Sequence, residues 1–197
     1  MIKFLPMSTL YTGKGDGGTT KFFGPDASGR GSDPNKASEL RQHRVSKASP
    51  IAEALGNLDE LNSFLGLVKI KAGEFSKTIE NIQENIFIIS ARIAGADKNI
   101  TEEKVKEIEA IIAECEKELP LITKFSIAGG TELSAHLDFA RTLARRAERR
   151  VVAVHDELGT ISPEVLKYPN RLSSILFALA RLTNLKSGIK ESAPSYN

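Results

Sequence analysis

From Ser49 onward, apolar residues recur every three or four positions, which is the period of amphipathic helices rather than of strands. Ser49-Pro50 opens the first helix, with Ser as N-cap and Pro where its missing N–H is harmless. It runs to about Lys71 and carries Leu58, Leu61, Leu65 and Val68 on one stripe. A second helix spans about Glu74 to Ala94, with Ile79, Ile82, Ile86 and Ile89 inward. A third begins at the N-cap Thr101, followed by Glu102 and Glu103 at the positive end of the helix dipole, and stops at Leu119-Pro120. The fourth is framed by Thr131 and Gly159, and its stripe is Leu133, Leu137, Ala140, Ala144, Ala147, Val151, Val154 and Leu158. The last runs from Ser162-Pro163 to about Lys186, carrying Leu172, Ile175, Leu176, Leu179 and Leu182. Pro169 lies inside it and removes a backbone donor, which predicts a kink or break. Five such helices with short connections predict an all-α, five-helix antiparallel bundle at 49–190. It is preceded by a Gly-rich segment at 1–48 and followed by a tail at 191–197.

Composition narrows the function. With 197 residues, 41% hydrophobic and 26% charged, the chain is long enough for one well-buried core. A net charge of +2 from 27 basic and 25 acidic residues excludes a general nucleic-acid coat, so no nucleic-acid partner is expected. The single Cys115 allows no intramolecular disulfide, and its apolar neighbours mark it as a core residue. No apolar run approaches a membrane span, and neither a secretory signal nor a transit pattern is visible, so the expected location is cytoplasmic.

Three stretches carry candidate chemistry, of which Tyr168-Pro169-Asn170-Arg171-Leu172-Ser173-Ser174, beside the expected kink, reaches a ligand or is the exposed side of a bundle helix. Thr12-Gly13-Lys14-Gly15-Asp16-Gly17-Gly18-Thr19-Thr20-Lys21 combines glycines, hydroxyls and lysines. Such a loop turns its amides onto phosphate oxygens or is a plain turn. It is not a Walker A loop, since Thr19 rather than Lys follows Gly18. On the fourth helix, Arg141, Arg145 and Glu148 fall at i, i+4 and i+7 and share one face. They form a phosphate clamp or a solvated face of ion pairs. Arg146, Arg149 and Arg150 lie on other faces and read as solvated. Of Asp59 and Glu60, one flanks the stripe of the first helix within reach of an arginine. His43, His136 and His155 make no metal-ligand spacing.

Together these segments resemble the propanediol-utilisation-type ATP:cob(I)alamin adenosyltransferases. The resemblance rests on TGKGDGGTT, RVSK (Arg44–Lys47), LDELNS (Leu58–Ser63), FSIAGG (Phe125–Gly130), AHLDFARTLARRAER (Ala135–Arg149) and NRLS (Asn170–Ser173), in the family's order. It implies a homotrimer with ATP and corrinoid between subunits, Mg²⁺ with the nucleotide, and adenosyl transfer from ATP to cob(I)alamin with release of triphosphate. A non-catalytic trimer that senses or delivers the cofactor is the alternative. A flavoprotein reductase and an adenosylcobalamin-dependent enzyme are the implied partners. Thr12, Gly13, Gly15, Gly17, Gly18, Thr19, Thr20, Lys21 and Lys47 match positions that grip the triphosphate in a loop that orders on binding. Arg145 matches the arginine on the phosphates needed for turnover, and Glu148 a residue near Mg²⁺ and nucleotide. Arg141 and Asp59 match an ion pair across the subunit boundary, and Asn170 a nucleotide contact. Phe125 matches the aromatic residue beneath the corrin that keeps a lower ligand off cobalt. The chain departs from the family at the longer Pro25–His43 stretch, at Ala128, where proline is usual, and at Ser174, where aspartate is usual; Pro169 also stands just before Asn170.

Overall fold

A computed structural model describes Tyr11 and residues 13–21, 44–159 and 161–196. Thr12, His43 and the Pro25–His43 stretch lie outside the described residues. Five α-helices are described: α1 (Pro50–Lys71), α2 (Ser76–Ile93), α3 (Glu102–Glu118), α4 (Glu132–Leu158) and α5 (Pro163–Lys186). Two short strands, β1 (Thr19–Thr20) and β2 (Val45–Ser46), pair antiparallel, Thr19 opposite Ser46 and Thr20 opposite Val45.

The caps are where the sequence puts them. Ser49 accepts from the Ala52 N–H, Thr101 from Lys104, and Thr131 from Ser134 at 3.0 Å. Ser134 returns the bond to the Thr131 N–H at 2.9 Å, so a reciprocal box closes the start of α4. Gly159 ends α4 in the left-handed region at φ 63°. Two boundaries differ from expectation. The second helix starts two residues late, because Gly73 at φ 53° leads into a tight 3₁₀ turn (Gly73–Phe75) before α2 begins. Of the kink or break expected at Pro169, a break does not occur: α5 is one helix. Pro169 sits in its second turn, where it deletes one bond, to the Val165 carbonyl, and its ring is buried.

α4 is the central helix, packing on α5 and α1; α2 packs on α1 and α3 on α5. Leu58, Leu61, Leu65, Ile79, Ile86, Ile89, Leu172, Ile175 and Leu176 are all buried between them. Each such side chain contributes about 1.5–3 kcal/mol through removal from water. Ala140, Ala144 and Ala147 present a small-residue stripe that lets both neighbours approach α4 closely. One buried polar chain crosses this core: Lys104 Nζ donates to Asn85 Oδ1 at 2.7 Å, and Asn85 Nδ2 to the Tyr168 hydroxyl at 2.9 Å. Burial pushes the Tyr168 hydroxyl up to about 12. Cys115 is buried, and its thiol is pushed up first by that burial and then by Glu118, as befits a core residue.

No helix of the described residues is long and apolar enough to cross a membrane.

Candidate functional site

The glycine loop and the Arg44–Lys47 segment, far apart in sequence, are one structural unit. Two consecutive turns, Asp16 N–H to Gly13 O at 3.2 Å and Gly18 N–H to Gly15 O at 3.1 Å, shape the loop. Gly13 at φ 67° and Gly18 at φ 76° take the left-handed conformation these turns need. The β1–β2 ribbon then carries the chain alongside Ser46, and the Lys47 N–H donates to Gly18 O at 2.9 Å. Arg44 fastens the ribbon, Nε to Thr19 Oγ1 at 2.7 Å and Nη2 to the Thr19 carbonyl at 2.6 Å. A Cβ on Gly15 would stand 3.3 Å from Lys47 Nζ, so the ammonium lies directly over the loop backbone. Gly17 has open space around it, and Lys21 is exposed just past β1.

On α4, Arg145 is exposed and its guanidinium has no partner among the described residues; only its carbonyl is engaged, by Arg149. One turn later Glu148 Oε1 accepts from Asn170 Nδ2 at 2.7 Å, which brings two predicted residues from α4 and α5 together. Asn170 Oδ1 in turn accepts from Arg171, whose Nε is held by Glu109 at 2.8 Å. Arg141 is half-buried, and its Nε donates to Asp138 at 3.3 Å. Asp59 is exposed on α1 with no partner among the described residues, and the Arg141–Asp59 pair is not made within one protomer. Glu60, not Asp59, meets an arginine here: it pairs with Arg146, whose Nε also donates to Asn57 Oδ1 at 2.8 Å. Arg146 is therefore not a solvated residue as expected; it joins α4 to α1. Arg149 and Arg150 are exposed. Among the described residues no three acidic, histidine or cysteine side chains cluster as a metal cage.

Phe125 is 80% exposed in the connection between α3 and α4. Together with Phe177 and Arg181 it lines a cleft of about 180 Å³. Phe177 is flanked by two guanidinium groups, Arg141 at 5.7 Å and Arg181 at 5.8 Å from its ring centre. The connection is anchored along its length. Arg181, 7% exposed, donates to the Pro120 carbonyl at 3.0 Å and to Glu191 at 2.7 Å, while the Ile127 N–H donates to Ser192 O at 2.8 Å. Sequence reasoning passed over Arg44, Phe177 and Arg181. Arg44 stood in a quoted motif, and Phe177 and Arg181 lie one turn apart on the last helix, beyond its Asn170–Ser173 motif.

The sequence profile of the cobalamin adenosyltransferase family matches residues 27–183. The corrinoid adenosyltransferase PduO of Citrobacter freundii is 37% identical over 181 residues, covering 87% of this chain and 49% of that protein. The corrinoid adenosyltransferase of Bacillus subtilis is 35% identical over 190 residues, covering 91% of this chain and 89% of that protein. The chain thus spans about half the length of the PduO relatives from Citrobacter freundii and Salmonella typhimurium. A variant PduO-type ATP:corrinoid adenosyltransferase from Lactobacillus reuteri, solved with cobalamin and ATP, superposes with a TM-score of 0.80 at 28% identity, covering 94% of this chain and 99% of that one. With most of its length matched by the profile and by relatives above 30% identity, this chain belongs to the cobalamin adenosyltransferase family.

Proposed function

We propose that the chain transfers the 5′-deoxyadenosyl group of ATP to the cobalt of cob(I)alamin, giving adenosylcobalamin and triphosphate. The observation that carries this reading is the joined glycine loop and Lys47, a backbone turn with an ammonium above it, in a family with a solved member complexed with cobalamin and ATP. Such a turn offers N–H groups and positive charge to phosphate oxygens. Gly13, Gly15, Gly17, Gly18, Thr19, Thr20, Lys21 and Lys47 take the triphosphate in this reading, and Thr12 joins them from outside the described residues. Arg145, exposed and unengaged, meets the phosphates with its planar fork. Asn170 contacts the nucleotide.

Cobalt in the Co(I) state is itself the nucleophile. Its electron pair forms the Co–C5′ bond as the C5′–O bond breaks, and that bond's pair leaves on the triphosphate. The protein holds C5′ in line with cobalt and stabilises the charge growing on the leaving group. Mg²⁺ supplies further charge neutralisation when bound with ATP. Glu148 fits it: with Oε1 tied to Asn170, its other oxygen is available, and Mg²⁺ commonly takes one carboxylate beside phosphates and water. Phe125 stands beneath the corrin and excludes a lower ligand, so cobalt stays four-coordinate and easier to reduce.

The active assembly in this reading is a cytoplasmic homotrimer with the site between subunits. Asp59 has no partner among the described residues, and Phe139, Leu67 and Ile70 are apolar and exposed. Asp59 of one subunit then pairs with Arg141 of the next. A reductase that delivers Co(I) precedes the reaction and an adenosylcobalamin-dependent enzyme follows it. The deciding experiment is a spectrophotometric adenosylation assay with chemically reduced cobalamin, ATP and Mg²⁺. Conversion supports the enzyme. Binding of ATP and cobalamin without conversion refutes it and leaves a carrier.

A further inference from the structure

Four residues downstream of Phe125 the chain makes a turn gripped by two helices. From α4, Asp138 Oδ2 accepts the Gly129 N–H at 3.1 Å. From α5, Asn184 spans the same turn, Nδ2 donating to the Gly129 carbonyl at 2.8 Å and Oδ1 accepting from the Thr131 N–H at 3.2 Å. Asp138 is 8% and Asn184 5% exposed. A buried carboxylate is costly unless its oxygens are engaged. The second oxygen of Asp138 is engaged by Arg141 Nε at 3.3 Å. Helix capping does not account for Asp138, because Thr131 and Ser134 already serve the first turn of α4. The same Arg141 lies against Phe177, which shares a cleft with Phe125.

We propose that Asp138 is a positioning residue that ties Arg141 to the Phe125 loop through one carboxylate, with Asn184 closing the clasp from α5. The inference rests on the roles given above to Arg141 and Phe125. It adds a physical connection between them: a guanidinium at the proposed subunit boundary and an aromatic ring at the proposed corrinoid face share one buried anion. Displacing Arg141 loosens the turn that carries Phe125, and a partner carboxylate that settles Arg141 also settles the loop.

The test uses the full chain with ATP, Mg²⁺ and cobalamin. Asp138→Asn keeps the side-chain volume but turns one of its two acceptors into a donor. Three quantities are read: amide hydrogen exchange of residues 126–131, the fraction of bound cob(II)alamin that is four-coordinate by electron paramagnetic resonance, and kcat separately from KM for ATP. Exchange rises, the four-coordinate fraction falls and kcat drops about 10- to 100-fold, as for a small misplacement of a reacting group, while KM for ATP is unchanged. Asn184→Ala gives the same pattern with the Arg141–Asp138 bond intact, and it carries the test if Asp138→Asn does not fold. A lower melting temperature with normal kcat and normal four-coordinate fraction in the folded variant overturns the proposal. Phe125→Ala, measured in parallel, separates the two readings. If it leaves the four-coordinate fraction at the wild-type level, the role of Phe125 fails, and exchange decides the clasp: unaltered exchange in Asp138→Asn overturns it, and raised exchange supports it.

Discussion

Gly130→Ala offers a sharp test of how the turn before α4 is built. Gly130 has φ 129°, and a Cβ there would overlap Asn184 Oδ1 and lie 2.8 Å from its Cγ and Nδ2. Its neighbour Gly129 has φ 107° but nothing within 4 Å of a Cβ. Both substitutions therefore incur backbone strain of about 1–3 kcal/mol, and only one evicts a neighbour. Eviction breaks the Asn184 bonds to Gly129 and Thr131, each worth about 0.5–1.5 kcal/mol, before any cost of leaving buried groups unpaired. Gly130→Ala should then destabilise the protein by roughly 2–3 kcal/mol more than Gly129→Ala. Urea denaturation at one fixed protein concentration measures this, since oligomer stability depends on concentration. A double-mutant cycle with Asn184→Ala sharpens it. Removing the amide makes room, so the double mutant should be less destabilised than the sum of the singles by more than about 1 kcal/mol. Equal effects of Gly129→Ala and Gly130→Ala, or additivity within about 0.5 kcal/mol, would refute the reasoning.

Arg145→Ala should lower kcat for adenosylation by about 10²–10³-fold while the melting temperature stays put, because its exposed side chain holds nothing among the described residues. Arg146→Ala should do the reverse, costing about 1–2 kcal/mol through Asn57 and the exposed Glu60 pair with kcat unchanged in steady-state assays. Alkaline stability should depend on Tyr168. Its folded hydroxyl is raised to about 12, so the unfolded chain loses that proton first, near its ordinary value of about 10. The stability it contributes is intact below that value and is lost as pH rises toward 12, at about 1.4 kcal/mol per pH unit. Urea midpoints of wild type and Tyr168→Phe between pH 9 and 12 should converge as the pH rises; parallel curves would count against it.

Local signals survived the passage from sequence to structure, and long-range ones did not. Ser49, Thr101, Thr131 and Gly159 cap their helices because a cap is satisfied within a few residues. Ile79, Ile82, Ile86 and Ile89 of α2 and Ala140, Ala144 and Ala147 of α4 face inward because a 3.6-residue period fixes a face. A period does not say which helix that face meets. Arg141 and Arg146 are both compatible with a polar flank, and only the packing of α4 on α1 selects Arg146 for Asn57 and Glu60. Pro169 shows the same limit: its missing N–H costs one bond, to the Val165 carbonyl, and the helix continues through it because α5 is packed on both sides. In the candidate site, Glu148 and Asn170 could be named from motifs, but their mutual hydrogen bond could not, since it joins two helices. Nothing in the immediate sequence around Asp138 or Asn184 marks either one. Their meaning lies in a turn that neither one borders in sequence.

The two-strand ribbon has a consequence for how this chain tolerates change. Thr19–Ser46 and Thr20–Val45 close the intervening sequence at its base, and Arg44 bolts the closure. Whatever lies between Lys21 and Arg44 is thereby decoupled from the spacing of the glycine loop and Lys47. Closure entropy grows only with the logarithm of length, so doubling the intervening stretch costs about 0.6 kcal/mol. Length at this point is therefore free to drift at little cost in stability. The same closure makes it a permissive site for grafting a peptide or a reporter without disturbing the phosphate-facing turn.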